Sequence, residues 1–111
     1  MSTSDTPTAI DRYLREAAGG DLDILLGCFT SDATVIDEDK TFRGHDEIRR
    51  WRETVTSKFT YTLTVLSTDA VGVAGYTVTV RLDGNFPGSS VQLRFGFALR
   101  GGLISELEIA P

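Results

Sequence analysis

The sequence predicts an α+β fold, with helices first and a mainly antiparallel sheet after them. Three observations point there. Apolar residues recur at helical spacing in two stretches before residue 30 and again after Gly44; from Phe59 onward the period changes to two; and Gly-containing turns join the alternating segments. At 111 residues and 41% hydrophobic, the chain is long enough for one core and too short for two. The expected organisation is a flexible tail over residues 1–5 and a single domain over residues 6–111.

Thr6-Pro7 offers an N-cap followed by proline at the first helical position. Ile10, Tyr13, Leu14 and Ala17 then share one helical face, Asp11, Arg12, Arg15 and Glu16 take the other, and Gly19-Gly20 ends the helix. Asp21 caps a second helix, whose stripe Leu22, Leu25, Leu26, Phe29 carries it to Phe29 and makes a hairpin with the first. Ala33 to Asp37 reads as a strand, Glu38-Asp39-Lys40 as a turn and Thr41 to Arg43 as the return strand. Gly44 breaks the chain before a third helix, with Asp46 and Glu47 in its first turn, Arg49, Arg50 and Arg52 further along, and Ile48, Trp51 and Val55 facing inward.

Phe59, Tyr61, Leu63 and Val65 alternate with threonines, and the same alternation runs through Tyr76 to Leu82 and Val91 to Leu99. A loose turn over residues 83–89 and a tight one at Gly101-Gly102 separate these strands from a last one, Leu103 to Ile109, while Gly72 to Gly75 reads as strand interior. One sheet face is therefore apolar, with more large side chains than a thin helical layer covers, so an internal pocket is expected. The other face carries Thr, Gln and Arg and is the expected surface of a homodimer.

The net charge is −5, and Arg49, Arg50 and Arg52 form the one basic cluster, so a nucleic-acid partner has no electrostatic footprint. The single Cys28 lies in an apolar run and reads as a small buried hydrophobe, which fits a reducing cytoplasm. The first residues have neither the basic start nor the apolar stretch of a signal peptide, and no apolar run approaches a membrane span, so a cytoplasmic protein without a membrane partner is expected. One His and one Cys do not make a metal site, and neither a Gly-x-Ser-x-Gly elbow nor a nucleotide loop stands in context, so no metal and no cofactor are implied.

Asp37 shares strand parity with Val35 and is carried to the apolar side, where a partly desolvated carboxylate can serve as a general base; its bland alternative is an acidic strand end in a solvated turn. Tyr13 lies on the apolar stripe of the first helix, and its hydroxyl needs a partner there, either a ligand oxygen or a protein group. Trp51 walls a pocket or fills core. His45 reads as a surface residue capping the third helix, and Arg94 falls on the polar sheet face.

The segment Tyr13-Leu14, Gly20-Asp21-Leu22-Asp23, Phe29, Asp32-Ala33-Thr34-Val35, Asp37, Phe42-Arg43-Gly44, Ile48 and Trp51 resembles the cone-shaped nuclear-transport-factor-2-like superfamily, which includes SnoaL-like cyclases and ketosteroid isomerase. The resemblance implies three helices on a strongly curved sheet. It also implies, from ketosteroid isomerase, that Tyr13 donates to a substrate oxygen and Asp37 shuttles a proton. The second oxyanion donor of that enzyme, a neutral carboxylic acid on a later strand, has no counterpart, because the corresponding stretch reads Leu93-Arg94-Phe95. The late acid/base residues of the cyclases have only Glu106 and Glu108 as counterparts, which alternation turns away from Leu107 and Ile109. The expected function is therefore binding of a small hydrophobic molecule, lined by Val35, Trp51, Phe59, Tyr61, Phe95 and Phe97, with Asp37 and Tyr13 as the pair for isomerase- or cyclase-type proton transfer. The alternative is a non-catalytic ligand-binding or protein-interaction module.

Overall fold

The computed structural model describes residues 6–111, and the tail expected over residues 1–5 lies outside them. The elements are α1 (Thr8–Glu16), α2 (Leu22–Leu26), β1 (Phe29–Asp37), β2 (Lys40–Arg43), α3 (Gly44–Lys58), β3 (Tyr61–Val71), β4 (Gly75–Gly84), β5 (Ser90–Arg100) and β6 (Leu103–Ala110). The six strands form one sheet in the order β2-β1-β6-β5-β4-β3. All neighbours are antiparallel except β1 and β6, which run parallel with Val35 beside Leu107 and Asp37 beside Ile109.

Because β2 and β3 are opposite edges of the sheet, the segment between them must cross its whole width, and α3 makes that crossing. Fifteen residues at 1.5 Å each span about 22 Å. Ile48 and Trp51 on its inner stripe meet Val35, Val78, Val80, Phe95, Phe97, Ile104 and Leu107 from the sheet and Ile10, Tyr13 and Leu14 from α1 in one core. No helix among the described residues is long and apolar enough to cross a membrane.

Several local expectations change. Pro7 occupies the N-cap position, so α1 starts at Thr8, with Pro7's carbonyl accepting the first helical bond from the Asp11 amide at 3.1 Å. Asp21 does cap α2, accepting from the Ile24 amide at 3.1 Å, but the helix ends at Leu26 and Phe29 opens β1. Gly27 is a weak helix former. One residue beyond it, the Cys28 carbonyl already bonds the Ile104 amide at 2.8 Å, drawing the chain into the sheet.

The strand expected from Phe59 begins at Tyr61, because Phe59 is the C-cap of α3. Gly72 to Ala74 form the β3–β4 hairpin turn, with Gly72 at φ 67°, and are not strand interior. Val65 is 45% exposed although it pairs with the fully buried Val80, because β3 is the sheet edge furthest from the helices.

Two turns show their strain differently. Gly101 and Gly102, both at positive φ, supply the left-handed pair that a two-residue hairpin requires. The β1–β2 hairpin needs the same geometry but makes it from Glu38 (φ 53°) and Asp39 (φ 64°), where a Cβ opposes the conformation. Replacing the pair as Glu38→Asn with Asp39→Gly is expected to stabilise the fold by about 1 kcal/mol, raising Tm by roughly 4–8 °C in a thermal melt followed by circular dichroism.

Candidate functional site

Alternation in β1 carries Ala33, Val35 and Asp37 to the helix side of the sheet, and α3 brings Trp51 over the same end. The Trp51 indole Nε1 donates to the Asp37 carboxylate at 3.0 Å. Phe42, which pairs with Val35 across the β1–β2 hairpin, stacks on the indole with ring centres 6.0 Å apart and planes 28° off parallel. Asp37 is thus half-buried and held by a neutral donor, so its charge is oriented inward without being cancelled.

Tyr13, 1% exposed, sits deeper, with the rings of Phe29, Phe95 and Phe97 edge-on to it at 5.6, 6.3 and 5.8 Å. Burial pushes the phenol pKa well above its ordinary value, the positive field of Arg52 offsets part of the rise, and the fields of Tyr61 and Asp37 add to it. The hydroxyl enters no hydrogen bond among the described residues.

The residue that sequence reasoning passed over is Arg52. Only 4% exposed, it donates through Nη2 to the Tyr61 hydroxyl at 2.8 Å and to the Ala17 carbonyl, and Tyr61 in turn donates to that carbonyl at 2.9 Å. Its guanidinium carbon lies 4.8 Å from the Trp51 ring centre. The indole therefore meets a carboxylate at its N–H edge and a cation on its face. The carboxylate's pull on the N–H proton enriches the ring's π density, which strengthens its hold on the cation. The signal was in the sequence: Ile48, Trp51, Arg52 and Val55 stand at i, i+3, i+4 and i+7, a complete inward stripe.

Other expected residues distribute unevenly. Val35, Trp51, Phe95 and Phe97 are buried around Tyr13 and Asp37, and Tyr61 is half-buried beside Arg52. Phe59, 36% exposed, stands apart at the end of α3 with its ring edge-on to Phe86. His45 Nε2 lies 3.1 Å from the Phe29 carbonyl, tying the start of α3 to β1 instead of standing free at the surface. Cys28 is buried, and burial raises its thiol pKa, which keeps it a poor nucleophile.

A cavity of about 280 Å³ opens where the end of α1, the start of α2 and the middle of α3 meet, lined by Glu16, Ala17, Gly19, Gly20, Leu22, Leu25, Arg52 and Thr56. A second, of about 100 Å³, shares Gly19 and Thr56 with it and reaches Phe59 and Tyr61. The Arg52–Tyr61 hydrogen bond joins a wall of one to a wall of the other.

Residues 10–107 match the family model of the SnoaL-like domain. A candidate polyketide cyclase from Sinorhizobium meliloti is 30% identical, with a TM-score of 0.90 over 98% of this chain and 99% of that one. A Δ5-3-ketosteroid isomerase from a Mycobacterium species is 18% identical, with a TM-score of 0.77 over 93% and 89% of the two chains. A Mycobacterium tuberculosis protein solved with estradiol-17β-hemisuccinate is 16% identical, with a TM-score of 0.77 over 91% and 88%. No curated protein matches the sequence.

Because the Tyr13 hydroxyl has no partner among the described residues, Tyr13→Phe is expected to change stability by less than about 0.5 kcal/mol at neutral pH in urea unfolding. The raised phenol pKa sets an alkaline limit. The folded state holds this proton after the unfolded chain has lost it, so stability is full below about pH 10 and falls above it. In Tyr13→Phe that fall is expected to be shallower, read as unfolding free energy against pH.

Proposed function

The chain belongs to the SnoaL-like family, and on that premise we propose that the interior between α1, α3 and the curved sheet takes a small hydrophobic, carbonyl-containing molecule. Asp37 moves a proton at the carbon next to the carbonyl, and Tyr13 donates to the oxygen on which charge develops. The observation that carries this reading is the pairing of a carboxylate steered inward by Trp51 with a buried phenol that no described protein group engages. The two roles are separate by environment: Asp37 is half-buried and oriented by the Trp51 N–H, whereas burial holds Tyr13 in its proton-bearing form over the working pH range.

A second reading, a binding module without catalysis, is favoured by a different observation. Phe29, Phe95 and Phe97 close edge-on around Tyr13 and occupy much of the space a substrate needs. In either case two copies pair through the outer sheet face, and sedimentation is expected to give about twice the chain mass of 12.1 kDa.

The readings separate on one measurement. Hydrogen–deuterium exchange at the carbon next to the carbonyl, followed by NMR for a panel of enolisable cyclic ketones, is expected to be accelerated by the native protein. Asp37→Asn should slow it by about 10²-fold or more. Acceleration that survives Asp37→Asn would remove the assigned base, and no acceleration with any ketone would favour the binding module.

A further inference from the structure

Arg52 is not used by that chemistry, yet its surroundings are the least expected in the molecule. A guanidinium removed from water is normally balanced by a carboxylate. The ion pairs among the described residues instead join Arg49 to Asp23, Arg81 to Asp83 and Arg100 to Asp32, all at the surface, and none includes Arg52. Asp37 acts on it through its field, with the Trp51 indole between them.

Both hydrogen bonds of Arg52 leave from Nη2. Nη1 and Nε enter no hydrogen bond among the described residues. Arg52 lines the 280 Å³ cavity. Leu22 and Leu25 give this cavity an apolar wall and Thr56 a hydroxyl. Glu16 also lines the cavity, and its Oε1 accepts from the Asp21 amide at 2.7 Å.

We propose that Arg52 is an anion-recognition residue, and that the ligand carries a carboxylate whose oxygen accepts from Nη1 while its apolar body lies against Leu22 and Leu25. The Arg52 cavity is a second site beside the interior holding Asp37 and Tyr13, and the chemical class assigned to it is a small organic acid. Three features make the site built. The guanidinium is immobilised by Ala17, Tyr61 and Trp51 before any ligand arrives, so little side-chain freedom remains to be lost on binding. The residue lines a cavity just below the usual size range for small-molecule sites. Its charge lacks a carboxylate partner in the fold, which a bound acid would supply.

Trp51 is the only tryptophan, so ¹⁵N-labelled protein gives a single indole N–H signal, and that indole lies under Arg52. Phenylacetate and phenylacetamide, which differ in charge and little in shape, are titrated against it. The acid is expected to bind about tenfold tighter than the amide and to shift the indole signal, and Arg52→Gln should bring the two to equal affinity. Should Arg52→Gln fail to fold by circular dichroism, Thr56→Phe fills the cavity while leaving the charge in place, and is expected to abolish binding of the acid.

Equal affinity in the native protein, an acid preference that survives Arg52→Gln, binding of the acid that persists in Thr56→Phe, or no binding of phenylacetate would each overturn the assignment. The ketone-exchange experiment reads out separately. Exchange without acid preference leaves the Asp37 chemistry standing and removes the Arg52 site, whereas acid preference without exchange does the reverse.

Discussion

A positive charge buried where three elements converge is the constraint around which this molecule is arranged. Arg52 cannot give up its proton at any pH a protein survives, so the fold must satisfy it. The satisfaction comes from parts of the chain far apart in sequence: the Ala17 carbonyl just past the end of α1, the Tyr61 hydroxyl at the start of β3, and the indole of its own neighbour on α3. Each contact fixes a distance between elements. With Asp37 anchoring the other side of Trp51, the chain of contacts runs from the end of β1 to the start of β3, strands on opposite sides of the β6-β5-β4 block.

That arrangement follows from topology as much as from chemistry. Strand order β2-β1-β6-β5-β4-β3 puts the first hairpin and the third strand at opposite edges, so one element must carry the chain across. A strand would expose its backbone polar groups against an apolar sheet face, whereas a helix satisfies its own. Once α3 lies across the sheet, its inner stripe has to be apolar or internally paired at every turn. Ile48, Trp51 and Val55 meet the first condition and Arg52 the second. The surface pair between Arg49 and Asp23 joins α3 to α2 but is too exposed to fix the crossing.

How much of this was legible in the sequence depends on whether local or distant residues decide the outcome. The Asp21 cap, the Gly101-Gly102 turn and the inward placement of Asp37 were readable because each rests on a side chain or backbone preference within a few residues. Phe29 was not. Its spacing from Leu22, Leu25 and Leu26 fits a helical stripe as well as a strand start, and the choice is made by β6, which lies some 75 residues later and bonds the Cys28 carbonyl. Phe59 failed for a similar reason, since alternation with Thr60 and Tyr61 looks like strand while α3 still needs a residue to end on. Arg52 stood out only as part of the basic run with Arg49 and Arg50, although its spacing from Ile48 places it on the inward stripe.

The candidate site is bounded by what the fold leaves unsatisfied. Shared architecture does not assign chemistry, because one fold serves many activities, so the assignment has to come from particular groups. Among the buried polar side chains described here, Thr30 is paired with Asp32, the Trp51 indole with Asp37 and the Tyr61 hydroxyl with Ala17 and Arg52. Two groups keep capacity that no described residue uses: the Tyr13 hydroxyl and the Nη1 and Nε donors of Arg52. Both are donors at neutral pH, and under the proposals above both would act on groups that carry or develop negative charge. Under the proposed function, Tyr13 with the Asp37 carboxylate would suit an enolisable molecule, and Arg52, in its own cavity, an anionic one. The aromatic rings around Tyr13 would then act as walls that exclude water from the developing charge, strengthening each of these interactions by lowering the local dielectric.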